Sequence, residues 1–171
     1  MPMLIEGRAR LLGSDINTDY IIASARKRDT LDESILKRYL LEAVDPGFAA
    51  TVRDGDLLVA GRNFGCGSAM EIAATVILAA GIRAVLAESF SRTFFRNAIN
   101  NGLVPVQCDT AEIAEGDRVA VRLADGTLEV EDRSRGTTAV AAPLPGIMLA
   151  ILEHGGLVPY IRHHGRWPAE V

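Results

Sequence analysis

Three short runs are apolar at every position or nearly so: Leu57-Leu58-Val59-Ala60, Ala84-Val85-Leu86-Ala87 and Leu103 to Gln107. A strand that offers no polar face is covered on both sides. Between the runs lie two helical stretches, Ser68 to Ala80 and Phe90 to Asn100, the first stopped by Gly81 and the second by Asn101-Gly102. Glycine at that point suits the left-handed residue that closes a helix. The order is therefore β-α-β-α-β with short connections. Right-handed crossovers turn that order into a parallel sheet with helices packed on it.

The flanks add to this frame. Met3 to Leu12 reads as a strand. Asp32 to Ala43 has helical spacing, with Ile35, Leu36, Tyr39 and Leu40 on one face and Thr30 or Asp32 as its cap. After Asp109 the period becomes two. Arg118 to Leu123 and Thr127 to Glu131 alternate around the turn Ala124-Asp125-Gly126, and Thr137 to Ala141 can pair as a third antiparallel strand. Leu144 to Glu153 is a last helix, ended by Gly155-Gly156, and the chain is expected to fray from Arg162 on. The sum is one α/β domain with a mainly parallel sheet, flanking helices and an appended antiparallel layer.

Composition removes several classes of function. The 171 residues carry 18 basic and 22 acidic side chains, a net charge of −4. That balance gives no electrostatic footprint for nucleic acid. The longest nearly apolar stretch, Ile72 to Ile82, is far short of the ~20 residues that span a membrane. Glu6 and Arg8 interrupt the N-terminus where a secretory signal would be apolar, so a soluble cytoplasmic protein is expected. Two cysteines, Cys66 and Cys108, are too few for a disulfide framework. No metal site is expected from this chain alone, and an iron–sulfur cluster normally takes three or four thiolates.

The chemistry concentrates in Gly61 to Glu71, between a buried strand and a helix. Open α/β sheets bind ligands at the carboxyl ends of their strands. Gly65 and Gly67 let the backbone approach a ligand closely, and a following helix N-terminus attracts anions. No Gly-Lys-Ser/Thr follows, so this is not a phosphate-binding P-loop. Ser68 has two readings. With Glu71 it matches a capping box; alternatively its hydroxyl carries a proton in a cleft, which needs nearby positive charge to favour the oxygen anion. Cys66 reads either as a small structural residue or as a nucleophile needing a close histidine, and only His154, His163 and His164 exist. Arg26-Lys27-Arg28 is a solvated loop or a carboxylate clamp. Asp19 is a turn cap or a carboxylate that orients a catalytic group. Arg92 and Arg96, with Phe95, fit an amphipathic surface helix.

Three ordered boxes resemble a known family. Gly13-Ser14-Asp15-Ile16-Asn17-Thr18-Asp19-Tyr20-Ile21-Ile22, Asn63-Phe64-Gly65-Cys66-Gly67-Ser68, and Ala84 to Asn101 are similar to segments of the small subunit of 3-isopropylmalate dehydratase, itself similar to the swivelling domain of aconitase. The resemblance covers about Met3 to Ile161. It implies a three-layer β/β/α swivelling domain over 1–161 with a flexible tail at 162–171. The implied reaction is reversible dehydration of a hydroxy-dicarboxylic acid: isomerisation of 3-isopropylmalate to 2-isopropylmalate in leucine biosynthesis, or the same chemistry on homoaconitate, 2-methylmalate or 2,3-dimethylmalate. A 4Fe-4S cluster would sit on a separate large subunit, with none bound by this chain. Ser68 maps onto the family's base, Ala23 to Thr30 onto its substrate-selecting loop, and Asn63, Gly65, Gly67 and Asp19 onto its substrate site. The small dicarboxylate and the large subunit are the expected partners; self-association of the isolated chain is left open. One departure stands out: the family follows its serine with Ser-Arg-Glu-His, whereas here Ala69-Met70-Glu71-Ile72 follows. Met70 cannot bind a carboxylate as arginine does, so Arg26, Lys27 or Arg28 is expected to supply the missing cation. A competing reading is an anion-binding module that has lost catalysis.

Overall fold

A computed structural model describes residues 3–168. Strand β1 (Met3–Leu11) is the hinge of the architecture. Its first part, Met3 to Arg8, pairs antiparallel with β5 (Arg118–Ala124), and its last part, Ala9 to Leu11, pairs parallel with β2 (Leu57–Ala60). From β2 the sheet continues parallel through β3 (Ala84–Ala87) to β4 (Val104–Gln107). From β5 it continues antiparallel through β6 (Thr127–Asp132) to β7 (Thr137–Val140). The strand order is β4-β3-β2-β1-β5-β6-β7.

Alternation along the buried strands builds two cores. Side chains of successive strand residues point to opposite faces. Leu57, Val59, Ala84 and Leu86 meet Val119, Val121, Leu128 and Val130 of the antiparallel half. Leu58, Ala60, Val85 and Ala87 instead meet the helices. The helices on that face include α1 (Thr18–Ile21), α3 (Glu33–Leu36), α4 (Phe48–Thr51), α5 (Ile72–Ala79) and α6 (Arg92–Asn101), while the short α2 (Ser24–Lys27) that follows α1 buries no residue. The parallel strands are thus the middle layer, and the three-layer β/β/α arrangement is realised. Helix α7 (Gly146–Glu153) packs on the β/β core through Leu149, Ile151 and Leu152. No helix among the described residues is long and apolar enough to cross a membrane.

Two helical segments depart from their pattern. The stretch from Asp32 to Ala43 breaks into α3 and a 3-10 turn at Lys37–Tyr39. Leu41 stops it at φ 57°, where its amide donates to the Ile21 carbonyl at 2.9 Å and its side chain is fully buried. Burial and that long-range bond outweigh helix propensity. At the C-terminus, α8 (Leu157–His164) takes in Arg162, His163 and His164. The sequence places these in a flexible tail, but the helix runs on until Gly165 at φ 68°. Residues 169–171 of that tail lie outside the described residues.

An ion cluster ties β1 to β2. Asp56 is buried and accepts from Arg8 Nε and Nη2 at 3.0 and 2.7 Å and from the Arg53 amide at 2.8 Å. Arg10 Nη1 lies 3.5 Å from the same carboxylate. Burial alone raises the Asp56 pKa, but the Arg8 hydrogen bonds, the Arg53 amide and the two guanidinium charges outweigh it and hold the carboxyl below its ordinary range. The unfolded chain then binds more protons on acidification, so this contribution is present above the unfolded pKa of about 4 and is lost as pH falls through the depressed folded value. Urea unfolding midpoints will fall as pH drops below about 4, and Asp56→Asn will flatten that fall while lowering the midpoint at neutral pH.

Candidate active site

The carboxyl ends of β1, β2 and β3 lie along one edge of the parallel half, and the loops that leave them are stitched together. Asp15 and Gly65 amides donate to the Arg62 and Ile16 carbonyls, each at 2.8 Å. The Thr18 amide donates to the Cys66 carbonyl at 2.8 Å, in a parallel bridge between Asn17 and Cys66. On the other side, the Asn63 amide donates to Ser89 Oγ at 2.8 Å, and Ser91 Oγ donates to the Gly65 carbonyl at 2.7 Å. The Asn63 side chain donates to Asp15 Oδ1 at 3.0 Å. Beneath the loop, Phe64 is fully buried and meets Phe90 and Phe94 edge-on at 6.1 and 5.0 Å.

The two glycines of this loop are there for space as well as conformation. Gly65 has φ 78°, and a Cβ there would lie 2.2 Å from the Phe94 ring. Gly67 has φ 90°, and a Cβ there would lie 2.6 Å from the Asn17 amide group. Their role is first to let the chain pass its own neighbours, and only then to open room above the loop.

Ser68 leaves this pinned loop exposed. Its carbonyl accepts from Thr18 Oγ1 at 2.9 Å, so its backbone is held. Its hydroxyl makes no hydrogen bond among the described residues. The capping box does not form: α5 begins at Ile72, with Glu71 at the cap position and no side-chain bond there. Gly67 at positive φ and the Thr18 contact set the backbone of 67–68 apart from the helix. The structure therefore leaves the Ser68 hydroxyl free for something outside the chain.

The three basic residues separate. Lys27 Nζ donates to Met70 Sδ and lies 3.8 Å from Asp19 Oδ1, and its side chain is only 13% exposed. Ser24 Oγ donates to the same Asp19 oxygen at 2.6 Å. Asp19 thus joins α1 to α2 and points Lys27 at Met70, two residues from Ser68. Arg26 turns elsewhere: it donates to both Glu42 oxygens at 2.8 and 3.0 Å and its guanidinium lies 3.9 Å from the centre of the Tyr39 ring. That engagement directs its guanidinium to Glu42 and Tyr39, whereas Lys27 is directed to Met70. Arg28, at the end of the same turn, is exposed. The structure thus brings Asp19, Lys27, Asn63, Gly65, Gly67 and Ser68 to one edge and sends Arg26 away. The sequence alone assigns no role to Asn17 or Thr18, although both stand in the first box; only their contacts with Gly67 and Ser68 disclose one.

Neither cysteine thiol is paired with a histidine among the described residues. Cys108 is buried, and burial with the nearby Asp109 charge pushes its thiol up to about 11. Cys66 is half-buried and its thiol makes no hydrogen bond among the described residues. The histidines it would need gather on one another, with ring centres 4.8–5.0 Å apart. Two cysteines in the whole sequence cannot supply the thiolates of an iron–sulfur cluster, so this chain's residues do not fit such a group.

Comparison with known proteins agrees with the geometry. Residues 22–111 match the Aconitase C-terminal domain family. A 3-isopropylmalate dehydratase small subunit of Moorella thermoacetica is 44% identical over 161 residues, covering 93% of this chain and 95% of the relative. A methanogen homoaconitase small subunit of Methanocaldococcus jannaschii is 41% identical, covering 94% and 92%. A crystal structure of a 3-isopropylmalate dehydratase from the same archaeon superposes with a TM-score of 0.89 at 40% identity, over 95% of this chain and 96% of that one. The chain belongs to the aconitase C-terminal domain family, among the small subunits of the 3-isopropylmalate dehydratase type.

Proposed function

We propose that this chain is the small subunit of a hydro-lyase that isomerises 3-isopropylmalate and 2-isopropylmalate by dehydration and rehydration, a step of leucine biosynthesis. The relatives' names imply a large-subunit partner, and aconitase-family membership implies an iron–sulfur cluster in the enzyme. In this reading the cluster, of the 4Fe-4S type, rides on the large subunit and the active site closes when the two chains meet in the cytoplasm. The observation that carries it is the Ser68 hydroxyl: exposed, unbonded among the described residues, and presented on a loop tied to its neighbours on both sides.

Ser68 Oγ, as the alkoxide, takes the proton from the substrate carbon on dehydration and returns it on hydration. Lys27 supplies the positive charge that favours that anion and grips a substrate carboxylate, in place of the arginine that Met70 replaces. Asp19 positions Lys27, and Asn63, Gly65 and Gly67 shape the loop beneath the substrate. Lys27→Met will therefore raise the KM of the assembled enzyme for the diacid by about 10–100-fold, the worth of one charged hydrogen-bonded contact. Arg26→Met, which releases Glu42 and the Tyr39 ring, will leave KM unchanged. Steady-state kinetics on the two variants checks the assignment.

A second reading rests on two observations, Met70 itself and the homoaconitase small subunit at 41% identity. It keeps the chemistry and changes the diacid. Measuring kcat/KM of the complex on 3-isopropylmalate, homoaconitate, 2-methylmalate and 2,3-dimethylmalate separates the two. A highest value on 3-isopropylmalate supports the first reading; a highest value on another diacid supports the second.

A further inference from the structure

The dehydratase reading makes no use of the three histidines near the end of the chain. His154 ends α7, and His163 and His164 end α8; the Gly155-Gly156 turn folds the second helix back so that all three rings meet. One ligating nitrogen from each lies within 4.8 Å of the others. The rings are inclined by 46°, 60° and 84° rather than stacked. Ring planes splayed in this way can converge on a common point, as the legs of a tripod do.

The second observation concerns the proton. His154 Nδ1 lies 2.7 Å from the Ala150 carbonyl. A carbonyl only accepts, so Nδ1 is the donor in this contact, and in the neutral ring Nε2 is the nitrogen left to ligate. Donation of the other ring N–H to a carbonyl is the arrangement that fixes ring orientation in metal-bound histidines. The Tyr160 ring packs on two of the three, 5.3 Å from His154 and 4.3 Å from His164. His163 and His164 are exposed, so an ion can enter.

We infer that His154, His163 and His164 form a tripodal site for a divalent transition metal of the zinc class. Imidazole nitrogens suit Zn²⁺, and three of them leave a fourth position for water or a ligand from another chain. Zinc bonds of about 2.0–2.1 Å in tetrahedral geometry bring the nitrogens to roughly 3.3 Å. The nitrogens must close from within 4.8 Å to that separation, and His163 and His164, being exposed, have room to turn. Bound metal would staple the end of α7 to the end of α8, through residues that take no part in the dehydratase step.

The test uses the untagged full chain. Zn²⁺ titrated by calorimetry is expected to bind one ion per chain, and Co²⁺ to give a tetrahedral visible spectrum without a thiolate charge-transfer band. His154→Ala and, separately, His164→Ala are each expected to raise Kd by at least the ~10–100-fold that losing even an outer partner costs. His164 is exposed, so that variant keeps its fold, which near-ultraviolet circular dichroism will confirm. Absence of Zn²⁺ uptake overturns the inference. So does uptake unchanged in both variants, or a thiolate band that moves the site to Cys66.

Discussion

Ser68→Ala will lower the turnover of the assembled hydro-lyase by about 10²–10⁴-fold, the usual worth of a positioned general base. It will do so without moving the melting temperature. The hydroxyl is exposed and has no hydrogen bond to lose among the described residues, and the contact that holds this residue is made by its backbone carbonyl to Thr18. A structural serine would behave the other way round, with stability falling and turnover following it. Comparing kcat with a thermal melt of the same preparation distinguishes them. Because Lys27 rather than Ser68 grips the carboxylate in our proposal, KM for Ser68→Ala should stay near the wild-type value.

Phe64→Ala will damage stability first and activity through it. Phe64 is fully buried under the active-site loop and touches Phe90 and Phe94, which come from the segment after β3 and from α6. Deleting a buried phenylalanine costs about 3–5 kcal/mol. For a chain of this length that is a drop of roughly 6–20 °C in melting temperature. The loop should also lose its shape, because alanine removes the ring packing on Phe90 and Phe94 that supports the backbone bonds of Phe64 to Ser89 and Ser91, at 3.0 and 2.9 Å. Activity of the complex should then fall more steeply than the folded fraction does. Calorimetry and activity at a temperature where the variant remains folded will show this.

How much of the fold can be read in the residues follows from where the determinants lie. The strands of the parallel half are legible because a layer covered on both faces writes itself as an unbroken apolar run, and Leu57–Ala60 and Ala84–Ala87 fall where that rule puts them. The antiparallel half is legible because its strands alternate. The Ser68 and Glu71 pair misleads because a capping box is a local pattern, whereas the backbone at 67–68 is fixed by Asn17 and Thr18, about 50 residues earlier. Arg26 and Lys27 cannot be told apart by adjacency. On a helical turn, neighbouring side chains point about 100° apart, so one reaches Glu42 and the other Met70. The histidine tripod leaves no pattern in the sequence because its members are joined by a turn at Gly155-Gly156 rather than by spacing along one helix.

The most direct measurement is complementation. The purified chain alone, a cluster-bearing large subunit alone, and the two together are assayed on 3-isopropylmalate, with the small chain titrated into a fixed amount of the large one. We expect neither component to turn over substrate, and the mixture to gain activity that saturates at one small chain per large one. Full activity of the large subunit without this chain, or turnover by this chain by itself, would contradict a reaction centre divided between two polypeptides.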